Sequence, residues 1–282
     1  MLSLRNKDVR WAFIWLVTTA IIAVWDILFL NKPALKLVVA GFFNTFIIAF
    51  LVIFVTLLMG WMATLGLHYL QEGKHKTGYL LLNFFFNLIR SVPQVIGILL
   101  GYVAVGMCIQ QGLVHSGFAI FALLSFCMGL FIFLEMADCM WERIDHYQKL
   151  DFYNAMRVCG VSQSRIINFN ILWKNSRIHI FNKLISVMGI AVFLQCSVDF
   201  IISVGLSTQA NQVTLPTTLG NLLANLDSKQ DILAVGNTLT HPLYFPHLFF
   251  EHLQGLTVAF LIVFSLLCIH NIANGYAERH RL

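Results

Sequence analysis

The chain has 282 residues, of which 59% are hydrophobic and only 11% charged, with a formal net charge of +5 and a mean hydropathy of +0.78. Soluble domains carry about 25% charged residues, so this chain could not cover its surface with polar groups in water, and its composition excludes a soluble protein. The basic residues lie beside apolar segments rather than in one patch, so we expect no nucleic-acid partner.

Six apolar runs are long enough to cross a hydrocarbon core of about 30 Å as helices. Runs of this length indicate helices rather than barrel strands, because a backbone in lipid must satisfy its own hydrogen bonds. The sequence therefore predicts an all-α membrane protein with six transmembrane helices. In chain order the runs cover approximately residues 11–30, 42–66, 91–110, 116–138, 182–206 and 256–276.

The segment 79–90, YLLLNFFFNLIR, is also apolar but is followed by Pro93. It predicts a shorter element at the membrane edge that leads into the third span. The six cysteines lie mostly inside apolar runs and none is spaced as C-x-x-C. They are therefore interpreted as small core residues, and we expect neither a disulfide framework nor a bound metal.

Lysine and arginine are concentrated in one set of connecting segments. With the N-terminus inside, 15 of the 18 lie in inner segments and 3 in outer segments. Since inner loops are enriched in these residues, the distribution predicts cytoplasmic termini, an inner loop over 139–181 and an outer segment over 207–254. Residues 1–37 are then a cytoplasmic tail with an uncleaved first helix, and residues 38–282 one membrane domain with five further helices.

The segment 151–173, DFYNAMRVCGVSQSRIINFNILW, interrupts the apolar runs with a polar, arginine-containing stretch. Its first half has an apolar residue at i, i+3, i+4 and i+7, which predicts one apolar face on a short helix. Gly160 follows and allows a sharp turn. The residues of this face are Phe152, Ala155, Met156 and Cys159.

After the turn, Ser162 is placed to cap a second helix. The apolar surface of that helix is expected from Ile166, Ile167, Phe169 and Ile171. Periodicity fits two interpretations equally well: a helix pair that rests on lipid headgroups, or an amphipathic element that docks into a groove of a partner.

The same segment resembles the EAA loop of the permease subunits of ABC importers. Asn154-Ala155-Met156 stands where that loop has Glu-Ala-Ala, Gly160 is its glycine, and Ile171-Leu172-Trp173 replaces Ile-Leu-Pro. The departures are Asn154 in place of an acid and Trp173 in place of a proline.

Two further stretches are similar to the same family, and the resemblance covers roughly residues 40–282. LIRSVPQVIGILL (88–100) resembles the Arg-Ser-Ile-Pro stretch that enters a core helix. TLGNLLA (218–224) is similar to the outer loop between the last two helices of dipeptide/oligopeptide-type permeases, of the C-subunit kind.

The resemblance implies a type I importer fold in the bacterial inner membrane, with a cytoplasmic coupling helix in the loop. Its partners would be ABC ATPase subunits, a second and different permease chain, an extracytoplasmic solute-binding protein and membrane lipid. The residues implied to dock on the ATPase are Asp151, Asn154, Ala155, Met156, Gly160, Val161, Ser162, Arg165 and Ile166.

We expect this chain to be a non-catalytic subunit without a cofactor of its own, and ATP with Mg²⁺ to be bound by the partner. A P-loop needs G-x-x-x-x-G-K-[ST] to cradle phosphates. The Gly73-Lys74 pair has His68 where the first glycine belongs and His75 after the lysine. No spacing of an acid pair or of a nucleophile with a base supports catalysis.

Ionisable residues inside the apolar runs are costly and are interpreted individually. Glu135 and Asp138 lie at the inner end of the fourth span and are expected to pair with Arg90 or Arg143. Asp26 is expected at the headgroups. Arg90, Pro93 and Glu135 are accordingly assigned structural or interface roles.

Gln195 and Asp199 lie one turn apart in the fifth span. Because the family's fifth helix lines the translocation path, the resemblance makes these two residues candidates for that path. A hydrogen bond between helices is an equally good interpretation.

The outer segment contains His241, His247 and His252 at spacings of six and five, with prolines between them. Metal ligands on one helix are three or four apart, so the pattern favours an ordinary loop.

The sequence thus predicts the membrane subunit of an ATP-driven transporter that takes up peptides or a similar small solute. One alternative is an ATP-independent secondary transporter or channel, which would need charged residues at mid-membrane. Another is an ABC permease for phosphonate, methionine or another small solute. The direction of transport stays open.

Overall fold

The apolar runs fold into long helices in the computed structural model, which describes residues 6–72, 76–205, 215–225, 228–247 and 253–280. Every regular element in these ranges is helical. A π-helix, Ile166–Asn175, continues α7, and a short 3-10 turn, Pro242–Tyr244, follows α10. The α-helices are α1 Lys7–Phe29, α2 Lys32–Glu72, α3 Lys76–Ser91, α4 Gln94–Gln110, α5 Gly117–Gln148, α6 Asp151–Val158, α7 Gln163–Arg165, α8 Arg177–Gly205, α9 Leu219–Asn225, α10 Ser228–Thr240 and α11 Leu253–His280.

Five of these helices, α1, α2, α5, α8 and α11, are each long and apolar enough to cross a membrane. The pair α3 and α4 passes the same criterion only together, and its two members are bent by 93° at the break between them. Within the described residues the chain therefore has five spans, or six if the bent pair counts as one. This is a multi-pass helical membrane protein, and the six-span topology stays a prediction.

Helices α2 and α5 pack closely along their length and form the centre of the core. Gly60 of α2 makes this possible, because a Cβ there would lie 2.9 Å from the Met136 Cβ. Thr64 Oγ1 donates a hydrogen bond to the Ala137 carbonyl at 3.1 Å, across the same contact. Small residues let helix backbones approach closely where lipid offers no hydrophobic driving force. Helices α4 and α8 pack on this pair.

Helix α1 packs mainly on α11 and leaves much of its apolar surface exposed. Polar contacts fix it at both ends: Arg279 lies 2.9 Å from Asp8, and Thr257 Oγ1 donates to Asp26 Oδ1 at 3.0 Å. Asp26 is only 3% exposed. Its carboxylate therefore faces the protein and accepts from a hydroxyl 231 residues away in sequence, while its position at the headgroups stays a prediction.

The two ends of the bundle carry different structures. At one end lie the connection after α5, the C-terminal part of α2 and the contact between Lys7 and Glu278; we call it the loop end. At the other end α9 packs against the N-terminal part of α2 and the C-terminal part of α8; we call it the α9 end.

Candidate functional site: the Gly160 loop and the Asp199 cluster

The turn at Gly160 closes α6 by a complete C-terminal capping motif. Gly160 has a φ of +78°, in the left-handed region that favours glycine. The Gly160 N–H donates to the Arg157 carbonyl at 3.0 Å, and the Val161 N–H donates to the Met156 carbonyl at 3.2 Å. This pair of bonds is the Schellman motif, which satisfies carbonyls at a helix end and reverses the chain. A Cβ at Gly160 would meet no atom within 4 Å.

Helix α6 turns most of its surface away from the bundle. Tyr153 is buried, whereas Ala155 and Cys159 are exposed and Val158 is 88% exposed. The apolar face predicted for this helix is therefore open, and only Met156 of its members is partly buried against the core. An open apolar face in this position suits a partner surface or lipid, rather than the core of this chain.

The segment after the turn is a π-helix, which the sequence did not predict. Ser162 occupies the predicted N-cap position, but its side chain makes no capping hydrogen bond. In a π-helix residues five apart share a face, and the buried residues are spaced in this way. The buried pairs are Ile166 with Ile171 and Ile167 with Leu172. Phe169, expected on the buried surface, is 52% exposed because the wider period moves it off that face.

Two hydrogen bonds fasten this π-helical segment and its start to α2. The Trp61 Nε1–H donates to Asn168 Oδ1 at 2.9 Å, and the Gln163 amide nitrogen lies 3.1 Å from His68 Nε2. Trp61 and His68 are seven residues apart and so lie on one face of α2. Sequence analysis missed both residues, since a polar group at the end of an apolar run has no periodic signal of its own.

Ion pairs at the loop end connect neighbouring helices. Asp138 of α5 pairs with Arg90 of α3, as the sequence predicted. Glu135 pairs instead with Lys183 of α8 at 2.6 Å, and Arg143 contacts His179 at 3.1 Å. These groups are partly exposed, and exposed pairs contribute about 0 to 1 kcal/mol each, so they orient helices more than they stabilise them.

The second candidate site is a buried polar cluster around Asp199 at the α9 end. Thr218 Oγ1 donates to Asp199 Oδ2 at 2.6 Å and accepts from the Asn221 N–H at 3.2 Å. Thr218 is thus the N-cap of α9 and the hydrogen-bond donor to Asp199 at once. Both side chains are buried, with Asp199 7% and Thr218 2% exposed.

Gln195 lies one turn before Asp199 on α8 and is fully buried. In the described part of the chain its amide makes no hydrogen bond within 3.5 Å, although it is close enough to Asp199 to interact with that carboxyl group. A buried polar group without a partner costs about 1 to 3 kcal/mol. Burying Asp199 and Gln195 inside the bundle therefore costs folding free energy, which favours a functional role for these polar groups over a role in packing.

Helix α2 completes this cluster from the opposite side. Thr45 Oγ1 accepts from the Leu219 N–H at 3.0 Å, and the Asn44 amide donates to the Thr217 carbonyl at 2.8 Å. The sequence prediction did not include these two residues, although a polar Asn-Thr pair inside an apolar run indicates a buried hydrogen-bonding site. Gly220 allows α9 to approach α8 closely, because a Cβ at this position would lie 2.5 Å from the Cys196 carbonyl oxygen.

The structure places the sequence-predicted residues as follows. Pro93 is the N-cap residue of α4 and lies in the break between α3 and α4. Val161 and Met156 are partly buried behind the turn, and Ile166 is fully buried, so it anchors the loop rather than offering a contact surface. The remaining predicted docking residues are exposed: Asp151, Asn154, Ala155, Gly160, Ser162 and Arg165.

Of the three histidines at 241, 247 and 252, His241 and His247 are exposed, and His247 stacks on Tyr244 at 5.2 Å between ring centroids. His252 lies outside the described residues. Across the described ranges no three His, Cys, Asp or Glu side chains come together as a possible metal site.

No protein-family model matches the chain, and no curated protein matches it. A solved structure described as the crystal structure of an amino acid ABC transporter with histidines is similar to 82% of this chain and to 92% of its own chain. The two are 17% identical, with a TM-score of 0.45. A likeness this distant carries no argument about function.

Proposed function

We propose that this chain is the membrane-spanning subunit of an ATP-driven transporter of the ABC importer kind. In this proposal the Gly160 loop docks on a separate ATPase, and the Asp199 cluster lies on the substrate path. Nothing in the proposal asks this chain to hydrolyse ATP, which would be bound with Mg²⁺ by the partner.

The observation that carries the proposal is the construction of the Gly160 loop. The π-helical part of the loop is anchored to the bundle by four buried aliphatic side chains and by hydrogen bonds to α2. The face of the loop that points away from the bundle leaves Val158 and most of α6 exposed. A helix held rigidly from behind, with an apolar face free in front, suits the helix-in-groove mode of protein recognition.

Helix α2 supplies the physical connection between the two sites. The loop is bound at Trp61 and His68, and the α9 end is bound at Asn44 and Thr45. At 1.5 Å per residue, Thr45 and Trp61 lie about 24 Å apart along one uninterrupted helix. A displacement of the loop by an ATPase would therefore move α2 and reach the Asp199 cluster, as in rigid-body switching.

The substrate class we propose is small peptides, on the resemblance of 218–224 to peptide-type permeases. Phosphonate, methionine or another small solute are the alternatives. A second permease chain would complete the path, an extracytoplasmic binding protein would deliver the solute, and the inner membrane would be the location. A binding assay with the solute-binding protein of this system decides among the substrates.

The proposal is tested by photo-crosslinking from the loop in intact cells. A benzophenone amino acid at Val158, which is 88% exposed, should capture an ATP-binding subunit, to be identified by mass spectrometry. The matched control places the same group at Leu243, which is 94% exposed at the α9 end, and it should capture no ATPase. Lipid adducts alone at Val158, with transport unaffected by ATP depletion, would overturn the proposal.

A second candidate function is an ATP-independent transporter. The observation in its favour is that Asp199 and Gln195 are both buried, since carboxylates inside membrane helices often serve ion-coupled transport. Purified protein in lipid vesicles would then move solute along an imposed ion gradient without nucleotide. Under the first proposal such vesicles would be inactive until the ATPase is added.

A further inference from the structure

Helix α3 has a surface that the transport proposal does not use. Its exposed apolar side chains include Leu81, Phe84 and Leu88, with exposed fractions of 67%, 67% and 52%. Phe86 lies on the opposite side, is 6% exposed and packs edge-on against Phe133 of α5 at 5.6 Å. One side of α3 is thus attached to the bundle, and another is uncovered.

A third, polar strip separates these two sides. Asn83, Asn87 and Arg90 follow one another at four and three residues, so they lie in a row along the helix. Arg90 contacts Asn87 and pairs with Asp138. The surface of α3 therefore has three sectors: one for the protein, one for water and one that is apolar without a protein contact.

The direction of α3 shows which environment fits these sectors. It is bent by 93° from α4, which runs into the bundle beside α5. If α4 runs along the membrane normal, α3 lies in the plane of the membrane. It follows the C-terminal end of α2 and so lies at the loop end, and its last turn carries the basic residue Arg90. Basic residues beside an apolar helix face are typical of helices at an anionic lipid surface.

Helix α4, which follows the bend, also exposes apolar side chains. Ile96, Leu100 and Met107 of α4 are exposed by 52%, 64% and 57%. Exposed apolar side chains thus lie on both helices of the bent pair. If α4 crosses the membrane, its exposed apolar side chains lie in hydrocarbon.

We propose that α3 is an interfacial helix that binds the lipid surface at the loop end. Its apolar sector is immersed in the acyl chains of that leaflet, and the strip of Asn83, Asn87 and Arg90 faces the headgroups and water. The occupant of the apolar sector is lipid rather than a second protein chain. This inference is independent of the proposed transport function.

Depth measurements on spin labels in lipid vesicles test the proposal, using the full-length chain with its six cysteines replaced. Labels at L81C and L88C should lie at the same depth, accessible to oxygen and shielded from a water-soluble nickel complex. A label at N87C should collide freely with the nickel complex. The matched control is α4, where I96C and L100C should differ in depth by about 6 Å, since a spanning helix rises 1.5 Å per residue.

Three outcomes would overturn the proposal. A depth difference of about 10 Å between L81C and L88C would mean that α3 crosses the membrane, since seven residues rise that far. Labels shielded from both oxygen and nickel would mean that a protein covers the face, and labels open to nickel would place it in water. If the cysteine-free chain does not fold, benzophenone at Phe84 in the otherwise unmodified chain should give lipid adducts, and protein adducts alone would contradict the proposal.

Discussion

The Gly160 loop and the α9 segment around Gly220 are both polar interruptions of an apolar chain, and they are built in opposite ways. Around Gly160 a Cβ would meet nothing within 4 Å, whereas at Gly220 it would meet the Cα of Cys196 at 2.6 Å. The loop exposes its helix and buries only its anchors. The α9 segment buries its polar side chains against α2 and α8. The space around Gly160 fits the proposed docking of a partner, whereas the α9 segment fills the interior of the bundle.

The largest effect on stability is expected at Gly220. In Gly220→Ala the new Cβ meets backbone atoms of Cys196, which cannot rotate away, so the free energy of unfolding should fall by about 3 kcal/mol. Thermal unfolding in detergent measures this. The control is Gly236→Ala in α10, where a Cβ meets no atom within 4 Å and stability should not fall. Equal unfolding temperatures for the two variants would show that α9 is not pressed on α8.

The next largest effect is expected for Thr218→Val. This change keeps the shape of the side chain but removes the hydrogen bond to Asp199 and the cap of α9, which should cost about 2 kcal/mol. Thr240→Val, at the exposed last residue of α10, is the matched control and should change stability little. A loss shared by both variants would mean that the Asp199 contact contributes nothing specific.

A smaller loss is expected for Gly160→Ala, because it arises from backbone strain alone. A residue with a Cβ in the left-handed region costs about 1 kcal/mol, and no clash adds to that at this position. Gly160→Asn should lose less, since asparagine tolerates this conformation. Chemical unfolding would rank the three proteins. A loss as large as that of Gly220→Ala would contradict the contrast between the two segments.

The smallest change in stability, below about 0.5 kcal/mol, is expected for Val158→Asp. Because Val158 is exposed, the added charge should weaken the binding of a partner without affecting the folding of this chain. Co-purification of the ATPase should be lost, while Leu243→Asp at the other end should retain it. If both variants keep the ATPase, α6 is not the docking surface.

The features of the fold that depend on a single stretch of sequence were predictable. Apolar runs gave the long helices, because crossing a bilayer demands a length and a composition that are local properties. The turn at Gly160 and the end of α6 were also predicted. The π-helix was not, because the spacing of Ile166 and Ile171 has meaning only once the backbone period is known. The ion-pair partner of Glu135 was not predicted either, since it is Lys183 rather than Arg90 or Arg143.

The sequence by itself determined three features: that this protein is embedded in a membrane, which residues form its long helices, and at which residues the chain turns. Hydrophobicity and glycine conformations act on each segment separately, so these features need no knowledge of the fold. Only the tertiary structure decided that Thr218 meets Asp199, that Trp61 holds Asn168 and that the face of α6 stays open. Those features depend on which distant residues share a contact, and that is fixed by the packing of whole helices.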